Sequence, residues 1–509
     1  MKWIFILIFI GQIFLILPSQ SFATIPNPLR WAADTESGAP FAMITSDKKN
    51  SLVGFEVEIV AAIAEELGVK SEFIQNAWDG LIPGLKNNNY DMAINGIEIT
   101  PNREKEVSFT RAYYSTFEQL VVRQNQNGID SLNDCKNKKV GTLRFSQAET
   151  ILQSETEIEV LTYESEVAAY SDLKNKRTDA VLLDSPLAIY YAAPDKELKL
   201  IGNPIGQIFY GIAIKKENTE LLNAIDAALK KISHNGKLRK ILDRWNLWTP
   251  LMANYLNDQT PSQTPPLAYQ DFIQKKSGEK SLFFKFKQYI DFLPALFKGA
   301  LITLKISLLG MLIAIIIGFI VAIMKIYGGK LISFSASFYI EVVRGTPLLI
   351  QLFFIFYGLP YLGITFSPFL AGVIGLGLNY AAYEAENYRA GILSVQKAQI
   401  EAATALGMNR SQTLFHIILP QAFRISLPPM TNDFISLLKD SSLVSAITMV
   451  ELTKVYGQLS STYYDYFGTG ILVASIYLII GLPFIKIARH LEKKLNVEFK
   501  QKNIERNVL

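Results

Sequence analysis

Residues Glu401 to Pro420 read EAATALGMNRSQTLFHIILP, a charged, helix-forming insert between strongly apolar segments. Ala402, Ala403 and Ala405 favour a narrow helical rod, because alanine loses least on entering a helix. Gly407, one turn on, allows close approach of another chain, and Glu401 and Arg410 offer charges to a partner. An insert of this kind reads as a loop joining two membrane spans.

Outward from that loop, apolar runs dominate from Leu296 to Ile485, whereas charges are frequent before about residue 290. The 509-residue chain is too long for one core and divides into a soluble half followed by a membrane half. Ile306 to Met324 carries no charge and reaches roughly 28 Å as a helix, enough to cross a bilayer with its flanks. The uncharged run Gly345 to Tyr383, broken by Pro360, Gly363 and Pro368, reads as two spans at about 331–358 and 368–391. Pro420 to Thr448 gives a fourth span and Phe467 to Ile485 a fifth. Lys325 and Lys330, then Arg389, Lys397, Arg410 and Arg424, then Lys486, Arg489, Lys493 and Lys494 mark the expected cytoplasmic segments. Lys285, Lys287 and Lys298 oppose this bias on the outer side, where an exported domain ahead of them overrides it. Within the spans, Asp433, Lys439 and Asp440, and near a span end Glu384, Glu386 and Arg389, are expected to face protein or water. Lining a path and pairing Lys439 with Asp440 or Asp433 are the two readings.

The start of the chain runs from Lys2 through apolar Trp3 to Leu17 to Ser21-Phe22-Ala23, which predicts a signal peptide cut after Ala23. A retained signal anchor is the alternative, and either one exports the domain behind it. Net charge of +4 is small for this length and argues against nucleic acid as a partner. With Cys135 as the single cysteine and His234, His416 and His490 scattered, neither a metal site nor a cofactor is expected. No GxxxxGK followed by Ser or Thr occurs, so the chain is not expected to hydrolyse ATP.

Residues 27 to 248 alternate strand-like and helical patterns in the α/β manner: strand Leu29 to Ala33, helix Gly54 to Leu67, strand Ser71 to Gln75, helix from Trp78, strand Asp91 to Asn95. Val140 to Leu143 and Ala180 to Asp184 read as strands of a second lobe, and Leu221 to Trp245 as closing helices. Thr249 to Lys280, with Pro250, Pro261, Pro265 and Pro266, reads as a linker, and the aromatic, basic stretch Lys285 to Lys298 as a segment lying on the membrane surface.

Three stretches of this region, Gly54-Phe55-Glu56-Val57-Glu58, Trp78 to Leu85 and Asn95-Gly96-Ile97-Glu98-Ile99-Thr100-Pro101-Asn102-Arg103, resemble periplasmic solute-binding proteins for polar amino acids. The resemblance implies two α/β lobes joined by two crossing strands, near Glu118 to Val121 and Gln207 to Tyr210, with ligand held between the lobes. A buried zwitterion needs a donor fork for its carboxylate and an acid for its ammonium. By resemblance Arg103 is the fork, aided by Ser146 and Gln147, and Asp184 takes the ammonium from the opposite lobe. Trp78 is expected to stack on the ligand, Asn95 and Gly96 to border it, and Asp34 to meet its distal end. The loop Thr35 to Pro40 is about one residue longer than usual, and Gly38 stands where an aromatic is common. Glu98 departs from the usual Ser or Thr: it either adds negative potential, favouring neutral or cationic ligands, or pairs with Arg103 or a nearby lysine.

The membrane half is similar end to end to the permeases of polar amino acid ABC importers, through the 401–420 stretch, Arg344-Gly345-Thr346-Pro347, Ala382 to Glu386 and Leu437 to Ser445. The resemblance implies that Glu401, Ala402, Ala403 and Gly407 sit in a cleft of a cytoplasmic ATPase subunit, and that a second permease copy, the same or related, completes the path. The expected division is a signal peptide at 1–23, a solute-binding domain at 24–248, a linker and pre-membrane segment at 249–290, an all-α permease domain at 291–495 with coupling loop 396–420, and a cytoplasmic tail at 496–509. The expected function is capture of an amino acid outside the cytoplasmic membrane and passage through the chain's own permease. The alternative is a ligand-gated receptor or channel on the same binding domain, against which the spans follow that domain and no TVGYG-like filter occurs. A lytic transglycosylase, the other relative of such domains, is opposed by five spans after the linker.

Overall fold

The computed structural model describes residues 25–45, 51–262, 264–277, 282–463 and 465–506. The signal-peptide expectation for 1–23 therefore lies outside the described residues, as do residues 507–509 of the tail.

In the first lobe a five-stranded sheet runs in the order Ser71–Gln75, Leu29–Ala33, Met92–Ala93, Ala213–Lys215, Val107–Phe109. Leu29–Ala33 pairs in parallel with both neighbours and is buried along nearly its whole length, which is why it reads as an unbroken apolar run. Helix Phe55–Leu67 covers this sheet through Phe55, Ile59, Val60 and Ile63. It can start only after Gly54, whose φ of 154° is joined by the close carbonyl of Phe41, leaving no room for a β-carbon.

The second lobe orders its strands Leu198–Tyr210, Tyr114–Arg123, Ala180–Asp184, Lys139–Leu143, Glu159–Tyr163. Two strands link the lobes, paired through Tyr114–Tyr210, Ser115–Phe209 and Thr116–Ile208. The second crossing falls where the sequence places it. The first lies a few residues earlier, because Glu118 to Val121 already pair with Asp184 to Val181 inside the second-lobe sheet.

The proline-rich stretch is not an open linker. Thr249 caps helix Pro250–Leu256 with its hydroxyl, and Pro250 takes the first helical position, where its missing N–H is no loss. Helix Leu267–Ser277 folds back so that Tyr269 and Phe272 pack on Tyr190. Nor does Lys285 to Lys298 form a separate surface segment, since one helix runs from Leu282 to Tyr327.

Among the described residues two helices, Gln288–Tyr327 and Tyr466–His490, are long and apolar enough by themselves to cross a membrane. The span expected at 331–358 is instead a pair, Lys330–Gly345 and Leu348–Leu362, bent by 106°, and counts as a third only if the pair is one span. Pro347 ends the first helix at Thr346, which takes the extended conformation a following proline demands. Helices Pro368–Leu393 and Leu419–Asp440 complete the bundle. The charges there find partners other than those expected. Glu386 pairs with Lys325 and Arg389, both at 2.8 Å. Asp433 accepts from Asn387 at 2.7 Å and Asp440 from Tyr380 at 2.6 Å, while Lys439 is exposed.

Candidate functional site

A cavity of about 480 Å³ lies between the two lobes and is lined by Asp34, Trp78, Asn95, Gly96, Glu98, Ser146 and Asp184 of the expected set. Arg103 lines an adjoining pocket with Trp78, its guanidinium 5.4 Å from the indole centroid, and Gln147 reaches the site through its backbone.

The first-lobe part is held from behind by helix Phe55–Leu67. Glu56, fully buried, accepts from the Gly96 amide at 2.6 Å and from the Tyr113 hydroxyl, which fixes the loop carrying Asn95 to Glu98. Burial pushes its carboxyl up to about 8, against those two hydrogen bonds. Asn95 in turn accepts from the Asp34 amide at 2.9 Å. Asp34 accepts from Gln75 at 2.8 Å, from the Glu36 amide at 3.0 Å and from the Trp78 amide at 2.9 Å. It thereby caps the short helix Thr35–Ser37 and locks Trp78 beside it.

Arg103 hangs from a short helix capped by Thr100. Its guanidinium meets the Glu98 carboxylate and the Glu98 carbonyl at 3.0 Å, and its other arm reaches the Phe145 carbonyl of the second lobe at 2.9 Å. The Gln147 amide donates to the other oxygen of Glu98 at 3.0 Å. Of the two readings of Glu98, pairing with Arg103 is what the structure displays. One carboxylate thus engages both donors that the resemblance assigns to a ligand carboxylate. Ser146 is committed to capping helix Gln147–Ser154, accepting from Glu149 at 3.1 Å. Trp78 also bridges the lobes, its indole donating to the Arg144 carbonyl at 3.2 Å.

Asp184 faces the cavity from the end of its strand and accepts from Tyr210. Burial and the neighbouring Glu98 charge raise its carboxyl above the ordinary aspartate range. Directly across the ladder sits Glu118, fully buried and raised well above the usual range by burial and by Asp184. Sequence reading passed over Glu118 because strand registry, not spacing, brings it to Asp184. It also passed over Glu36, Phe41 and Glu166, which line the same cavity. For Glu36 the signal was the unusual loop next to Asp34. Phe41 brings an aromatic wall to the cavity where Gly38 has none.

The cavity also has walls from the membrane half: Leu349, Phe353, Ser445, Ala446, Thr453 and Lys454.

At the other end, helix Lys397–Ala405 carries Glu401, Ala402 and Ala403, and a second short helix, Arg410–Thr413, leads into Leu419–Asp440. Gly407 joins them with φ of 79°, and nothing stands within 4 Å of where its β-carbon would be. Its backbone takes the left-handed turn that favours glycine, and no atom of this chain crowds the position. Ala403 packs inward, whereas Leu406 is 83% exposed and Phe415 63%. A cavity of about 420 Å³, lined by Ala402, Ala403, Leu406 and Met408 among others, opens between the helices.

Residues 29–247 match the family of bacterial extracellular solute-binding proteins, family 3, and residues 314–497 the binding-protein-dependent transport system inner membrane component. A putative glutamine transport system permease protein of Rickettsia bellii is 40% identical over 216 residues, 42% of this chain and 99% of that one. An L-cystine transport system permease protein of Bacillus subtilis is 39% identical over 207 residues, 40% of this chain and 88% of that one. A solved structure of an ancestral arginine-binding protein bound to arginine is 34% identical, covering 43% of this chain and 99% of that one, with a TM-score of 0.41. The chain belongs to the binding-protein-dependent transport system inner membrane components, and carries a family 3 solute-binding domain ahead of its permease domain.

Proposed function

We propose that this chain captures a polar amino acid outside the cytoplasmic membrane, between the lobes of its binding domain, and passes it through its own permease domain. The observation that carries this is one cavity walled by both lobes and by the permease. A separate cytoplasmic ATPase grips the hairpin of Glu401, Ala402, Ala403 and Gly407, and a second permease copy completes the path. The binding domain lies outside and the hairpin and tail inside, with Arg389, Lys397, Arg410 and Arg424 around the hairpin in keeping with a cytoplasmic position. The permeases named for glutamine and cystine are in keeping with a zwitterionic ligand.

In this reading Arg103 and the Gln147 amide hold the ligand carboxylate, Asp184 its ammonium, Trp78 and Phe41 its side chain, and Asp34 with Glu36 its distal end. Asp34, Glu36 and Asp184 line the cavity with carboxyl groups and favour neutral or cationic ligands over aspartate and glutamate. The test is a melting screen of the full chain in lipid nanodiscs against the twenty amino acids. A ligand at about 100 times its dissociation constant adds roughly 2.7 kcal/mol. A stabilising shift confined to neutral or cationic amino acids supports the reading, and a shift with none of them overturns it.

The geometry sets two further outcomes. Because the Glu98 carboxylate already engages Arg103 and Gln147, a ligand must displace it, so Glu98→Thr is expected to tighten binding by about tenfold, read by calorimetry. Because the Asp184 carboxyl lies above the ordinary range and an ammonium needs it ionised, protonation competes with the ligand. Affinity should fall as pH drops from about 8 to about 5, a window well above the ordinary aspartate value near 3.9. In Asp184→Asn that slope should flatten.

A further inference from the structure

Lys454 belongs to the permease domain, in helix Leu452–Tyr463, yet its side chain is only 5% exposed and its ammonium lies inside the ligand cavity. Its Nζ is 2.8 Å from Glu36 Oε2 and 3.9 Å from Asp34 Oδ1. One turn further along the same face, Gln458 donates to the Thr35 hydroxyl at 2.8 Å. Two permease side chains therefore hold the loop Asp34 to Glu36, and one of them puts a positive charge against its carboxylates. Burial alone would lower the lysine's proton affinity, but the Asp34 and Glu36 charges outweigh it and keep the ammonium protonated.

A pair that served only to dock two domains would need no place in the cavity, and would lie on the rim, where an ion pair is screened and weak. Lys454 is instead among the groups that wall the ligand chamber, together with Trp78, Glu98 and Asp184. Its ammonium stands at the acid that the proposed function assigns to the distal end of the ligand. Two cations cannot share Asp34 and Glu36 without mutual repulsion, which between unit charges about 4 Å apart is felt even in water and grows several-fold where water is scarce.

Resting on that amino-acid reading of the cavity, we propose that Lys454 is a release residue: a permease-borne ammonium that competes with the ligand's distal end for Asp34 and Glu36, loosening a cationic ligand when the binding domain sits on the permease. The effect is reciprocal, so a bound cationic ligand weakens the hold of Lys454 on the loop as much as Lys454 weakens the ligand. Both groups being in one chain, the competitor is always at hand and its effective concentration does not depend on encounter.

The test uses the full chain in nanodiscs with L-arginine and its uncharged isostere L-citrulline as probes, measured by equilibrium dialysis. Lys454→Met is expected to tighten arginine about tenfold and citrulline far less, while Lys454→Arg keeps wild-type affinities for both. Lys454→Gln, which keeps a polar tip, should match the methionine variant and guards against a packing defect. In cells the methionine variant should import arginine with a lowered maximal rate, because the ligand leaves the cavity more slowly. An unchanged ratio of arginine to citrulline affinity in both neutral variants overturns the release role and leaves the amino-acid reading standing. If the wild-type chain binds neither probe, the release role falls, while the amino-acid reading falls only if the melting screen also gives no shift with any of the twenty amino acids.

Discussion

Arg103→Met is expected to abolish amino-acid binding, lowering affinity by at least about a hundredfold, and to melt the full chain about 10 °C earlier. Arg103 does two things at once: it supplies the fork for a carboxylate, and it neutralises Glu98, whose side chain is only 2% exposed. Removing one partner of a buried ion pair strands the other at about 3–5 kcal/mol, and about 2–4 °C per kcal/mol is usual for a unit of 150–250 residues. The double variant Glu98→Thr with Arg103→Met separates the two roles. Thermal stability should return, read by differential scanning fluorimetry, while binding stays lost in calorimetry. Recovery of binding in the double variant would show that Arg103 acts on the ligand only by occupying Glu98.

At the far end of the molecule, Gly407→Val is expected to reduce uptake of radiolabelled ligand by cells at least about tenfold with affinity for the ligand unchanged. A β-branched side chain at φ of 79° is disfavoured by about 1–2 kcal/mol, so the turn opens and the two short helices lose their relative placement. Leu406, beside the turn and mostly exposed, would be carried away from whatever surface receives it. Gly407→Asn, which tolerates the left-handed turn, should retain most uptake. Equal loss in both variants would place the requirement in space at the contact and not in backbone conformation.

How much of this was legible in the sequence depends on the distance over which each feature is encoded. The run Asn95 to Arg103 could be read because strand end, turn, cap and arginine lie within nine consecutive residues, and the structure brings them together as a local unit. Leu29 to Ala33 and Ala180 to Asp184 announced themselves as apolar runs. Glu118 was hidden because its relation to Asp184 exists only once two strands are in register. Lys454 was hidden more deeply, since 418 positions separate it from Glu36 and only packing of one domain on the other brings them together. The bend in the span expected at 331–358 was hidden for a different reason: hydropathy counts apolar residues and is blind to direction, so the Gly345-Thr346-Pro347 break passed as part of a continuous run. Pro250 misled in the opposite sense, because a proline after a capping threonine begins a helix as readily as it interrupts one.

The helix of Leu267–Ser277, packed on Tyr190, leaves four residues, 278–281, before the helix that begins at Leu282. Even drawn straight, that strap reaches roughly 18 Å. A leash that short keeps the last helix before it beside the first helix of its own permease domain. The proposed capture and passage therefore take place within one molecule's reach, and uptake is expected to be insensitive to dilution of the carrier among other membrane proteins.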